Sequence, residues 1–72
     1  MNQIDIQIGH KIKNARKKLG ITQAYLSKKL SISPTYLNLM ESGKRKINLD
    51  LLLKMTSELN IEISDISKKT DT

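Results

Sequence analysis

Seventy-two residues hold at most one domain with a small core, because a chain of this size buries only about 60% of its unfolded surface. Cysteine is absent and His10 is the single histidine, which excludes disulfides, thiolate metal sites and histidine triads; an aromatic content of 3% is too low for a base-stacking platform. Thirteen Lys and Arg against seven Asp and Glu give a net charge of +6, an excess that draws polyanions without specifying a binding geometry.

The start of the chain, "MNQIDIQIGHKI", is polar and unlike a signal peptide, and nothing approaches the ~20 apolar residues of a membrane span. A cytoplasmic protein is therefore expected. Helical spacing dominates the chain. Ile8, Ile12, Ala15 and Leu19 step by four, three and four, predicting a first helix over about 5–19 that Gly20 ends in a left-handed turn. The Ile4 and Ile6 pair reads as an N-terminal extension packing on the domain, with a role in dimer contact as the other reading. Thr22 is placed to cap a second helix whose apolar side is Leu26 and Leu30. Ser33 caps a third, with Pro34 in its first turn, running to Ser42 with Gly43 beyond.

Asn48 opens a fourth helix through Leu59, with Leu52, Met55 and Leu59 as its core side and Leu49 and Leu53 flanking. Leu51 and Ile63 fall off that stripe. A fifth short helix is predicted over 61–67, with Ser64 capping and Ile66 buried, and a polar tail, 68–72, is expected to fray. The expectation is thus one all-α domain, 1–72, of five short helices.

Residues 23–42, "QAYLSKKLSISPTYLNLMES", read as helix, tight turn and helix. Leu26, Leu30, Ile32, Leu37 and Met40 occupy the positions where two steeply crossing helices bury side chains. Ser27 stands where a small alanine usually permits close approach. Ser31 stands where a glycine usually takes the left-handed turn; a serine there would cost about 1 kcal/mol if its backbone is left-handed. In the third helix Tyr36 and Leu39 look outward, and Lys44-Arg45-Lys46 follows at once. A solvated loop would account for the cations alone, but not for their place beside that helix.

"ARKKLGITQ", "SPTYLNLMESGKR" and "LDLLLKMTSELNI" resemble the Xre family of bacterial and phage regulators, that of the lambda repressor and Cro proteins, over about residues 9–67. "YLNLMESGKRKI" is similar to the variant in regulators with a longer C-terminal region, so a short member and a fragment are both open. The resemblance implies a five-helix lambda-repressor-like fold whose third helix enters the DNA major groove. It places Ser33, Pro34, Thr35, Asn38 and Leu39 at base edges. Asn38 suits adenine, and Leu39 and Pro34 suit thymine methyls, so an A·T-leaning site is expected.

The resemblance also implies phosphate contacts from Thr22 and Gln23, at a helix start that favours an anion, and from Tyr36, Ser42, Lys44, Arg45 and Lys46. Lys13 and Lys17 are either a second rim or plain solvent face. Arg16 and Glu41 match a family ion pair between the first and third helices. Leu51 and Ile63 lie where family members dimerise, and a twofold dimer reads half-sites about one helical turn apart. The implied function is operator binding by a homodimeric repressor, with no catalytic centre, metal or cofactor. Two other readings are an antitoxin of the same fold, with a toxin on another face, and a protein-binding module that has lost DNA.

Overall fold

The computed structural model describes residues 3–62. Among these the chain forms four helices: α1 (Gln3–Lys18), α2 (Gln23–Leu30), α3 (Pro34–Glu41) and α4 (Leu49–Leu59). The expected fifth helix falls almost wholly outside the described residues, as do Ile63, Ile66 and the tail. α1 begins earlier than predicted, so Ile4 and Ile6 belong to it rather than to a separate extension.

Three helices start on a side-chain cap, each satisfying an N–H that the helix itself leaves without a partner. Thr22 Oγ1 accepts from the Tyr25 N–H at 3.0 Å, Ser33 Oγ from that of Tyr36 at 3.1 Å, and Asn48 Oδ1 from that of Leu51 at 2.8 Å. All four helices stop in one way. Gly20, Ser31, Gly43 and Asn60 take the left-handed conformation, with φ of 72°, 60°, 82° and 57°. Each donates its N–H to the carbonyl three residues back, and the next residue donates to the carbonyl five before itself, as Ile21 does to Arg16 and Lys44 to Leu39. The residue after the left-handed one is a half-buried isoleucine in three of the four turns: Ile21, Ile32 and Ile61.

α1 and α2 each pack against both α3 and α4. Ile12, Leu26, Leu30, Leu37, Met40, Leu51, Met55 and Leu59 form the core, each such side chain contributing about 1.5–3 kcal/mol by leaving water. Two positions differ from expectation. Leu19 is 53% exposed, because α1 ends at Lys18 and Leu19 already belongs to the turn. Leu51, expected off the stripe, is only 9% exposed and packs in the core, while Leu52 is half-buried. The leucines at 49, 51, 52 and 53 permit either register, and the buried face runs Leu51, Met55, Thr56, Leu59.

Ser27 is buried at the position that suits a small side chain, its hydroxyl donating to the Ala24 carbonyl at 3.0 Å. A closer approach occurs at Gly9 of α1. A Cβ there would collide with the Met40 carbonyl oxygen and come within 2.8 Å of that of Glu41, so the end of α3 rests directly on the α1 backbone.

Candidate nucleic-acid interface

α3 presents its N-terminal end to solvent. Ser33, Pro34, Thr35 and Asn38 are all exposed, while Leu37 and Met40 are fully buried beneath them. Pro34 has no N–H and the Ser33 hydroxyl caps Tyr36, so the helix start is rigid without help from a ligand. Leu39 is half-buried rather than fully outward. Its side chain therefore offers one edge, and its carbonyl collects the Ser42 hydroxyl at 3.1 Å and the Lys44 and Arg45 N–H groups at 2.9 and 3.2 Å.

Those bonds make 42–46 an ordered turn rather than a loose basic loop. Lys44, Arg45 and Lys46 are all exposed on it. Lys44 stands where the other three turns place an isoleucine against the core, so the apolar contact usual at this position is replaced by an exposed cation. The Arg45 guanidinium lies 5.8 Å from the centroid of the Tyr36 ring, within cation–π range. Tyr36 is itself half-buried against the core, which fixes the ring under the guanidinium. At the base of the turn Gly43 meets α1: a Cβ there would lie 2.7 Å from Ile6 Cγ1.

The start of α2 carries the other expected contacts. Thr22 is exposed and accepts the Tyr25 N–H, which leaves its hydroxyl proton free to donate outward. Gln23 does something the sequence does not indicate: its Nε2 donates to Glu41 Oε1 at 2.9 Å. An amide nitrogen carries two protons, so one N–H remains for another acceptor. Glu41 in turn receives Arg16 Nε at 2.7 Å on Oε2 and Arg16 Nη2 at 3.1 Å on Oε1, and Arg16 Nη1 donates to the Ile21 carbonyl at 2.6 Å. One network, buried at the Arg16–Glu41 pair and half-buried at Gln23, thus joins α1, the turn before α2, the first residue of α2 and the last residue of α3.

The exposed start of α3, the start of α2 and the basic turn therefore hang together through Glu41 and Leu39. Leu51 has no place among them and little surface for a partner, whereas Leu49 and Leu53 of α4 are 67% and 50% exposed. Tyr25 is exposed beside Lys29, whose Nζ lies 5.6 Å from its ring centroid. Among the described residues no helix is long and apolar enough to cross a membrane. The closeness of Gly9 to α3 went unread in the sequence although a signal was there: a glycine inside a helix costs about 0.5–1 kcal/mol against alanine and calls for a packing reason.

A helix-turn-helix family model matches residues 12–66. The control protein C.MunI of Mycoplasma sp is 34% identical over 67 residues, which cover 92% of this chain and 90% of that protein. The transcriptional regulator RamB of Mycobacterium tuberculosis (strain CDC 1551 / Oshkosh) is 31% identical over 90% of this chain, but the chain spans only 14% of its length. The crystal structure of the clp gene regulator ClgR from Corynebacterium glutamicum superposes with a TM-score of 0.87 at 23% identity, covering 92% of this chain and 70% of that one.

Proposed function

The chain belongs to the Xre family of helix-turn-helix transcriptional regulators, and on that premise we propose that it binds operator DNA sequence-specifically, as a homodimeric repressor. Ser33, Pro34, Thr35, Asn38 and one edge of Leu39 face base edges in the major groove. Thr22, Gln23, Tyr36, Ser42, Lys44, Arg45 and Lys46 hold the flanking phosphates. The observation that carries the reading is the pairing of an exposed, capped α3 start with an ordered turn that presents three cations. Phosphate contacts fix the register of the helix on the duplex, and base contacts then select the sequence.

A single module of this size buries a modest surface, so two copies reading two half-sites reach regulatory affinity more readily than one. The burial of Leu51 moves the apolar surface available for such a contact to the exposed Leu49 and Leu53 of the same helix.

The direct test is a titration of the protein against the DNA upstream of its own gene and against scrambled DNA of equal length, each at two salt concentrations. Preference for the upstream fragment, with affinity falling steeply in salt, is the expected result. Absence of binding to either duplex at low salt would overturn the reading.

A further inference from the structure

Three contacts fix how α1 is rotated against the rest of the domain. Ile6 packs on Gly43 of the basic turn, Gly9 lies against the Met40 and Glu41 carbonyls, and Arg16 reaches Glu41 and the Ile21 carbonyl just before α2. Successive helical residues turn by about 100°, so Lys13 and Lys17 fall within roughly 40° of Ile6, beside the Gly9–Arg16 stripe. Both are exposed. Along the axis they occupy the stretch between the basic turn at one end and the start of α2 at the other. Lys11 and Lys18 are on another face: they line a cavity of about 490 Å³ with Ala15, Leu19, Leu59 and Ile61, where α1 meets the end of α4.

We infer that Lys13 and Lys17 are further phosphate contacts, which join the two sites proposed above into one electrostatic track along the edge of α1. The inference rests on the DNA-binding reading and adds two residues to it. Lysines suit this role as mobile point charges that need no fixed hydrogen-bond geometry. They would add affinity and salt dependence without sequence preference, since backbone phosphates carry no base identity.

The test is fluorescence-anisotropy titration of a labelled operator-length duplex across a salt series, using the full chain. The Lys13→Ala/Lys17→Ala double variant is compared with a Lys18→Ala/Lys54→Ala control of the same net charge, Lys54 being on α4 beside Ser57 and Glu58. The slope of log K against log salt is expected to fall by about 2 in the first and to stay within about half a unit in the second. The first variant should lose affinity equally for upstream and scrambled DNA, and its circular dichroism should match wild type. An unchanged slope in the first variant, or an equal fall in both, would overturn the inference while leaving DNA binding intact. A wild-type chain that bound neither duplex would overturn it together with the reading on which it rests.

Discussion

Arg16 Nε lies 2.7 Å from Glu41 Oε2, and both side chains are nearly inaccessible to water. Breaking a buried pair from one side leaves the other charge without compensation, at about 3–5 kcal/mol. Glu41→Ala is expected to cost that much, which is a large share of the total stability of a small domain. The Gln23 amide and the Ile21 carbonyl would lose their anchoring as well. Arg16→Met with Glu41→Leu removes both charges and should cost clearly less than the two single changes added together. Urea unfolding of wild type, Arg16→Met, Glu41→Leu and the double variant checks this; simple additivity would mean that the pair is not coupled.

Ser31 is exposed and ends α2 in the left-handed conformation, at φ 60°. A left-handed non-glycine residue costs about 1–2 kcal/mol. Ser31→Gly should therefore stabilise the domain by about 1 kcal/mol, a rise of about 4–8 °C in Tm for a domain of this size. Thermal melts followed by circular dichroism would show it, and an unchanged or lower Tm would mean that the glycine's extra freedom in the unfolded chain cancels the relief.

Gly9→Ala tests the contact between α1 and α3. The new Cβ would meet the Met40 and Glu41 carbonyl oxygens, which are backbone and cannot swing aside. Overpacking of this kind costs about 1–3 kcal/mol, although alanine is the better helix former. A lower urea midpoint with an unchanged m-value is the expected outcome. A higher midpoint would show that helix propensity outweighs the collision.

What could be read from the residues themselves was what is decided locally; the Arg16–Glu41 pair, 25 positions apart, was expected from the family resemblance alone. Thr22, Ser33 and Asn48 act as caps because each bonds an N–H three residues on, within a single turn of chain. Ser31 was legible as a candidate left-handed position because glycine usually stands there in a helix-turn-helix, and its φ is 60°. The misplacement of Leu51 came from four leucines in five positions, 49–53, which fit two helical registers equally well. Only packing against α1 and α2 separates them. Leu19 misled because helical periodicity continues past the residue where the backbone has already turned. The Gln23–Glu41 bond spans 18 positions, and no spacing rule reaches across that distance. It also changes what the site offers: the expected phosphate-binding amide arrives with one of its two protons already committed.

Leu51→Ala and Leu53→Ala separate core from surface on α4. Leu51 is 9% exposed and Leu53 is 50% exposed. Truncating the first should cost about 2–5 kcal/mol, whereas truncating the second should stay within about 0.5 kcal/mol at dilutions where the chain is monomeric. If α4 carries the homodimer contact, Leu53→Ala weakens self-association without lowering monomer stability. Sedimentation equilibrium alongside urea unfolding distinguishes these effects. A Leu53→Ala protein as destabilised as Leu51→Ala would place Leu53 in the core after all.

Asn38 and Lys46 separate sequence reading from electrostatic grip. Asn38 is exposed on α3, one turn beyond Pro34, and its amide has the donor–acceptor pair that matches adenine in the major groove. Asn38→Ala should lower the preference for operator over scrambled DNA by about 1–3 kcal/mol while leaving the salt slope alone. Lys46 is exposed in the turn after α3, so Lys46→Ala should weaken both duplexes equally and reduce the slope by about 1. The two effects are orthogonal, and neither side chain has a role in the core that would confuse them with unfolding. Anisotropy titrations on both duplexes at several salt concentrations measure both quantities at once. If Asn38→Ala changed only the slope and Lys46→Ala only the preference, α3 would be lying along the phosphates and the basic turn would be facing the bases.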